Sequence, residues 1–499
     1  MKKTLYMFAL AAFTLPTANV QAQDSTAAPK ADDGKLTLSG YLDSYYLTNF
    51  NRPTSGNSMG YGANYGTANG TGYSRAFDRL TDQFALGLVQ VKAAYSNSKS
   101  DMVIDLAFGP NAELGNFGNQ RFVNGQTGYV TGFAPSNSNQ DALYGTSAAI
   151  KQAYFTYKFT DKWNFTVGQF GTHIGYEVID APVNYHYSLS NLFNNGPFYH
   201  VGAKTSYAFS SKFALMAGVV NNWDALTDWK TQKSVIGQVF VSPLEGMNIY
   251  VNYIGGYNDD GFKVVGGAPG TKVPNNIAAY NTTSRGYIRQ MLDLTAGYQI
   301  TDKLYVGINA ALGWYTWQIN KNTEQYKKEG GSAAGTADAN DPSKNNVTYG
   351  NKAWGKTFFA DSSKFQSWGG VAIYANYKLN DMLGIGARYE HFDDRNGLRY
   401  LGGVNNSLTI TMPITLADGH LIIKPEFRWD TGVLGYAATT ATNGGVVDPN
   451  AKDADGKQYT TGGGLYETRS VDSDGKVISG AKAQTSGQST IGLAFIYKY

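Results

Sequence analysis

Two short stretches place charged side chains at every second position, the spacing that lines up one face of an extended strand. Between Leu421 and Asp430, Leu421, Ile423, Pro425, Phe427 and Trp429 fall on one face, while Lys424, Glu426, Arg428 and Asp430 fall on the other in alternating sign. Leu383 to Phe392 likewise sets Arg388 and Glu390 together on one face, and Asp105 and Asp293 occupy the polar face of two further segments. Charges so arranged can create a transverse field for polar solutes, or can simply pair and satisfy the wall they stand on. Balanced signs predict weak ion selectivity. Counted from the preceding turns, Arg388 and Glu426 are expected at one height and Glu390 and Arg428 at another, about 10 Å apart across one intervening strand. Pro425 has no N–H to donate, so weakened pairing is expected there.

Other constellations point nowhere. Gly56-Asn57-Ser58-Met59-Gly60 fits G-x-S-x-G, but that pattern has catalytic meaning on a strand-to-helix turn and here sits in a Gly- and Asn-rich loop. His173, His186, His200, His391 and His420 are scattered without ligand spacing. Asp453-Ala454-Asp455-Gly456 and Asp472-Ser473-Asp474-Gly475 open like calcium loops, yet the position that needs a bidentate Glu is Gly462 in one and Ala481 in the other. The expectation is therefore a protein that is no enzyme and holds no metal or cofactor, with weak cation binding by the acidic loops as the remaining option.

The elements that must position the charged rows are strands. Of 499 residues only 16% are charged, against about 25% in soluble domains. There are 59 Gly and 36 Tyr, and the apolar residues are dispersed among polar ones. A net charge of +3 leaves no basic footprint for nucleic acid, and the absence of Cys excludes disulfides, thiolate sites and a lipidated Cys. Lys2 and Lys3, the apolar run Leu5 to Phe13 and Val20-Gln21-Ala22 read as a cleaved signal peptide over residues 1–22. Its removal takes away two of the three net positive charges and leaves +1. Residues 23–34 form a short periplasmic linker, too small for a plug, and residues 35–499 one domain.

Within that domain, segments of alternating apolar and polar residues recur. In Lys303 to Tyr315, Leu304, Val306, Ile308, Ala310, Leu312 and Trp314 share an oily face, and Tyr305, Gly307, Asn309, Ala311 and Gly313 a small, polar one. Tight turns such as Thr160-Asp161-Lys162, Ser210-Ser211-Lys212 and Thr301-Asp302-Lys303 alternate with long Gly-, Asn- and Thr-rich loops. This is the pattern of an all-β, transmembrane antiparallel up-and-down barrel of about sixteen strands, with short periplasmic turns and long extracellular loops. Closure follows because no backbone N–H or C=O can stay unpaired in hydrocarbon. Tyr157, Phe159, Trp163, Tyr298, Trp314, Trp317, Tyr377, Tyr497 and Tyr499 are expected in the interfacial girdles. Tyr499 ends the strand that outer-membrane assembly machinery would read. The oily faces meet outer-membrane lipid, and the other faces, with their charges, line a water-filled lumen.

Gly175-Tyr176-Glu177-Val178-Ile179-Asp180-Ala181-Pro182-Val183-Asn184, then Tyr187-Ser188, then Pro197-Phe198-Tyr199-His200-Val201-Gly202 resemble the OmpL-like β-barrel porin family of Gram-negative bacteria, best represented in the Bacteroidota. Gly218 to Asp224, Arg388 to Asp394 and Pro425 to Asp430 resemble its other signatures in the same order. Lys424 stands where Arg is expected, which keeps the charge and weakens any bidentate role. The resemblance implies an outer-membrane pore. By analogy with general porins, the third long loop, residues 177–200, folds inward, so Glu177, Asp180, Tyr187, Asn191 and His200 are expected at a constriction. Tyr41, Tyr45 and Tyr187 are expected to offer stacking surfaces to sugars. The function expected is passive diffusion of small polar solutes, and the alternative is a surface adhesin or structural barrel with a plugged pore. A homo-oligomer is compatible with both.

Overall fold

The computed structural model describes residues 34–52, 75, 77–116, 149–226, 233–258, 287–317, 366–394, 399, 403–434, 466–471 and 477–499. The signal segment, the linker up to residue 33, the G-x-S-x-G loop and both calcium-like motifs lie outside the described residues.

Sixteen strands form the wall: β1 (Lys35–Asn49), β2 (Gln83–Ser96), β3 (Ser100–Phe108), β4 (Ile150–Lys158), β5 (Trp163–Gly171), β6 (Tyr199–Ser210), β7 (Phe213–Val220), β8 (Ser234–Val241), β9 (Met247–Asn258), β10 (Tyr287–Gln299), β11 (Leu304–Trp317), β12 (Gln366–Lys378), β13 (Gly384–Asp393), β14 (Gly403–Thr411), β15 (Leu421–Leu434) and β16 (Gly487–Lys498). Each is antiparallel to the strand before it and the strand after it. The ring closes where β1 meets β16, from Tyr41 opposite Lys498 to Asn49 opposite Thr490. A separate hairpin, Tyr466–Val471 with Val477–Thr485, pairs outside this sheet.

The period of two sorts the side chains. Leu292 and Leu294 of β10, Ile373 of β12, Tyr389 of β13, Phe427 and Trp429 of β15 and Ile491 of β16 point outward and are exposed, whereas Asp293, Tyr374, Arg388, Glu390, Arg428 and Asp430, one position away, point inward and are buried. A single polypeptide layer thus separates two environments. The tight turns share one end of the barrel, and Tyr157, Phe159, Trp163, Tyr377, Tyr497 and Tyr499 are exposed near that end, with the Phe159 and Trp163 rings 4.3 Å apart.

The inner face departs from a uniformly polar lining. Phe170, Met216, Ile236, Ile254, Met291, Trp368 and Phe392 from β5 to β13 form an apolar cluster inside the barrel, joined by Ile174 and Leu192 of the loop after β5. At these positions the inward face is apolar like the outward one, so alternation there does not tell inside from outside. Opposite the expected weak point at Pro425, the β14 ladder stops at Thr411 and resumes over Ile414–Leu416, still against β15 and without a change of register. There Met412 N–H donates to the Pro425 carbonyl at 3.0 Å.

An arginine on the outward face near the bilayer midplane costs about 2–4 kcal/mol. Leu294→Arg is expected to lower the unfolding free energy of the barrel in lipid vesicles by about that amount, read from urea titration followed by tryptophan fluorescence. No loss would mean that this face does not meet hydrocarbon.

Candidate functional site

Residues 172–198, between β5 and β6, turn into the barrel and meet the inner wall on many sides. At the entry, the amide of Gly175 donates to Asp293 Oδ2 at 3.0 Å. That carboxylate also accepts from Asn252 Nδ2 at 2.8 Å and, through Oδ1, from Asn309 Nδ2 at 2.6 Å. Tyr176 stacks on Tyr374 of β12, ring centroids 4.2 Å apart at 18°. Its phenol lies against Gly307 of β11, where a Cβ would collide with it, so only glycine admits this close approach.

The charged rows of β13 and β15 receive the centre of the loop. Arg388 is fully buried, and a buried guanidinium must find a partner for each of its donors. Its Nη1 donates to Glu177 Oε1 and to the Ser188 carbonyl, both at 2.6 Å, and its Nε donates to Glu390 Oε1 at 2.9 Å. Glu390 Oε2 accepts from the Asn191 amide at 2.6 Å, at the start of the short helix α1 (Asn191–Asn195). Arg428 donates from Nε to Asp430 Oδ1 at 2.8 Å and from Nη1 to the Leu189 carbonyl at 2.9 Å. Glu426 accepts from the amides of Tyr187 at 2.7 Å and Ser188 at 3.0 Å. Lys424 donates to the carbonyls of Ala181, at 2.7 Å, and Asn184. Lysine thus serves here as a compact donor to two carbonyls, a task that needs no bidentate fork.

Further round the wall, Asp180 accepts from Gln90 of β2 at 3.0 Å and pairs with Lys151 of β4. Asp105 of β3 takes two bonds from Gln90, at 2.9 and 3.0 Å, one from Gln152 at 3.0 Å, and lies 3.5 Å from Lys151. Tyr187 donates its phenol O–H to Asp43 of β1 at 2.7 Å. The first long loop joins the same network, with Arg75 bridging Asp78 and Asp430. Beyond the loop, Asp224 after β7 accepts from the amides of Phe198 at 2.6 Å and Tyr199 at 3.1 Å and so fixes the point where the chain re-enters the wall.

Three sequence expectations are corrected. Arg388 is level with Thr409 and, through it, with Arg428, while Glu390 is level with Ser407 and Asp430, so the expected Arg388–Glu426 and Glu390–Arg428 levels are displaced by two residues. The connection from β14 to β15 holds the extra ladder piece after Pro413 and a turn with left-handed Ala417 and Asp418, which counting from turns does not register. His200 belongs to β6, where it contacts Thr172 Oγ1 through Nε2 at 3.0 Å, and is not part of the loop. Tyr41 and Tyr45 are 3% and 4% exposed, and the Tyr187 phenol is engaged by Asp43, so none of the three offers an open stacking face. Gln90, Gln152, Asn252 and Asn309 were missed. Their only signal is their inward parity beside Asp105 and Asp293.

His186 completes the site. Its Nδ1 lies 2.7 Å from Thr411 Oγ1, and that hydroxyl donates its own hydrogen to Glu426 at 2.7 Å. The hydroxyl must therefore accept from Nδ1–H, which leaves Nε2 as a bare acceptor. Burial, and then the positive charges of Arg388, Lys424 and Arg428, hold this imidazole well below its ordinary range, so it stays neutral. Among the described residues no group of three or more His, Asp or Glu side chains is arranged to hold a metal.

A closed sixteen-stranded barrel with an inward third loop anchored on a charged wall is the architecture of a porin. The chain belongs to the family described as Putative beta-barrel porin-2, OmpL-like, whose model matches residues 35–465. It is an outer-membrane protein. No curated protein matches its sequence. Among solved structures it is similar to the trimer form of OmpT from Vibrio cholerae, at 9% identity and a TM-score of 0.45 over 94% of this chain and 100% of that one. It is also similar to the outer-membrane channel DcaP of Acinetobacter baumannii, at 12% identity and a TM-score of 0.43 over 93% and 97% of the two chains. An anion-selective porin from Comamonas acidovorans matches at 8% identity and a TM-score of 0.44, over 94% and 100%.

Two outcomes follow from these anchors. Removing one partner of a buried ion pair costs about 3–5 kcal/mol, so Arg388→Met, which strands Glu177 and Glu390, is expected to destabilise the barrel by that order and to open residues 172–198 to limited proteolysis. An unchanged cleavage pattern would mean that the loop is held in place without Arg388. Burial raises the Asp224 carboxyl from 3.8 to about 6, against the opposing effect of its two amide donors. Between about pH 4 and 6 the folded protein keeps a proton that the unfolded chain releases, so folding loses stability as pH rises through that window, by about 3 kcal/mol at most. Urea titrations should show the wild type losing stability relative to Asp224→Asn from pH 4 to 6 and running parallel to it above; parallel curves throughout would refute the assignment.

Proposed function

We propose that the protein is a non-enzymatic outer-membrane channel through which small polar solutes diffuse passively, its lumen narrowed by residues 172–198. The observation that carries this reading is the anchorage of the loop at two places on the wall, on Arg388, Lys424 and Arg428 of β13 and β15 and on Gln90 and Lys151 of β2 and β4. Such a loop divides the lumen at the height where the charged rows stand. Narrow dimensions restrict the traffic to small molecules. Near-balanced charge around the loop favours weak ion selectivity, in keeping with the pairing of Arg388 with Glu177 and Glu390 and of Arg428 with Asp430. In this reading the signal peptide is cleaved, the short turns face the periplasm, the strand ending at Tyr499 is read by the assembly machinery, and a homo-oligomer forms in the membrane.

A second reading, a structural or adhesive barrel with a plugged pore, is favoured by one observation: inward side chains near mid-strand, among them Asp43, Asp105, Asp293 and Arg388, are at most 1% exposed. Planar bilayers separate the two. The wild type is expected to give small, uniform conductance steps, and Glu177→Gln, which removes the loop's own carboxylate from Arg388 and leaves Glu390, larger or more variable ones. Absence of steps from both proteins would leave the plugged barrel.

A further inference from the structure

A groove of about 540 Å³ opens on the outward face of the wall, at the end away from the tight turns, where β14, β15 and the start of β16 lie side by side. Val404, Asn406, Trp429, Thr431 and Gly487 are among its lining residues. Its volume falls within the range of about 300–1,000 Å³ that small-molecule sites occupy. Trp429 is 49% exposed in it.

Strand register sets the polar residues in one row. His391 of β13, Asn406 of β14, Thr431 of β15 and Gly487 of β16 stand directly opposite one another, all with outward parity. One row nearer the tight turns stand Tyr389, Leu408, Trp429 and Ser489, and one row further Ala387, Ile410, Phe427 and Ile491. The outward face thus changes from apolar to polar between Trp429 and Thr431. Ser489, level with Trp429, is eight residues along β16 from Tyr497. At about 3.4 Å per residue and a tilt of about 40°, that is about 21 Å of height, close to the apolar band of about 25 Å that such barrels present. Trp429 and Tyr497 therefore mark opposite edges of the band, and the row with Asn406 and Thr431 stands at headgroup height.

The chemistry of the row selects its occupant. An acyl chain would cover the Asn406 amide and the Thr431 hydroxyl without giving either a partner. The described lining residues carry no charge, and Asp393, opposite Val404 in the next row out, disfavours an anionic headgroup. Asn406 Oδ1 accepts from His391 Nδ1 at 2.7 Å, so the groove offers the Nδ2 hydrogens of Asn406 and the hydroxyl of Thr431. Gly487 adds room. A Cβ there would lie 3.7 Å from the Asp430 carbonyl oxygen, an ordinary contact, so the wall does not require glycine, and the missing side chain leaves the space beside Thr431 open. An uncharged hydroxylated ring matches all of this, its hydroxyls meeting the amide and the hydroxyl and its C–H face the exposed indole. Because the groove is continuous with the lipid-facing wall, that ring arrives on a lipid.

We propose that this groove binds the uncharged sugar headgroup of a membrane glycolipid and, with the short turns toward the periplasm, a glycolipid of the outer leaflet. The inference rests on the orientation given above and is independent of conduction.

The test places the full-length protein in phosphatidylcholine nanodiscs that contain diglucosyldiacylglycerol and phosphatidylglycerol in equal amounts, and counts the lipids it retains by native mass spectrometry. The wild type is expected to retain the diglucosyl lipid about tenfold over phosphatidylglycerol, the worth of one or two hydrogen bonds. Asn406→Leu combined with Thr431→Val, which removes the polar groups, and Gly487→Leu, which fills the space, should each abolish that preference, while Val239→Leu, outward on β8, should keep it. Two independent routes guard against one variant that fails to fold. The proposal is overturned if either phospholipid is retained as well as the glycolipid, if both groove variants keep the preference, or if an equimolar amount of free maltose displaces the glycolipid. Labelling of Ser211→Cys, in a tight turn, from outside intact cells would overturn the leaflet assignment, and labelling only after the outer membrane is opened supports it. Conductance steps without glycolipid preference would remove the groove and leave the channel, whereas preference without steps would remove the channel and leave the groove.

Discussion

Two guanidinium groups stand side by side in the interior of this barrel, and the placement of the third loop follows from what they require. Arg388 and Arg428 occupy one level on strands separated by β14, like charges lifted out of water. Glu390 lies between them, 2.9 Å from the first and 3.5 Å from the second, but one carboxylate cannot satisfy ten N–H donors. Asp430, Ser407 and Thr409 accept from them on the wall, and Glu177 and the carbonyls of Ser188 and Leu189 add three acceptors that all belong to the loop. The inward fold of the loop and the burial of the charges are one event. Neither is stable without the other, since a solvent-filled lumen would leave the arginines hydrated and the loop without its anchors.

The second half of the interior works by a different force. From β5 to β13 the inner wall carries Met216, Ile236, Ile254, Met291, Trp368 and Phe392, and the loop turns Ile174 and Leu192 toward them. The loop is amphipathic in three dimensions although its sequence has no regular period. Its carboxylates and main-chain carbonyls face the charged strands, and its apolar side chains face the apolar ones. Removing several buried apolar side chains from water contributes about 1.5–3 kcal/mol each, so this contact is comparable in size to the ionic one. One connection therefore ties together two walls of unlike chemistry.

How much of this was legible beforehand depends on whether an interaction leaves a periodic trace. Alternation in β11 and β15 marks strand, face and closure, because a period of two is imposed by the pleat and by the demand that no backbone group go unpaired in hydrocarbon. The same parity marked Arg388, Glu390, Lys424, Glu426, Arg428 and Asp430 as inward. The relative heights of β13 and β15 were not legible, since they depend on how the chain turns between Met412 and His420, with positive φ at Ala417 and Asp418. The apolar inner wall was hidden for the opposite reason: Met216, Ile236, Ile254 and Met291 share the inward face with polar residues such as Gln238, Asn252 and Asp293, so the contrast between the two faces is blurred on these strands. Nor could the loop contacts be foreseen in detail, because Lys424 and Arg428 bind main-chain carbonyls of Ala181, Asn184 and Leu189, which every residue carries alike.

The same features bear on how a solute could pass. A loop held only by apolar contact could slide along its wall at small cost, because such contacts are non-directional. One held by charge-assisted hydrogen bonds cannot, since any displacement of the carbonyls of Ser188 or Leu189 strips donors from a guanidinium that has no water to replace them. The charged side of the loop is therefore its fixed edge. On the tyrosine-lined side, Tyr176 rests against Gly307 of β11 and Tyr185 against Gly386 of β13, with no ion pair between them and the wall. Rings seated on glycine are held by shape and not by charge, so their contacts can be lost without breaking an ion pair. Contacts on this edge can change without disturbing the arginine network, so the two edges of one loop differ in how firmly they are held.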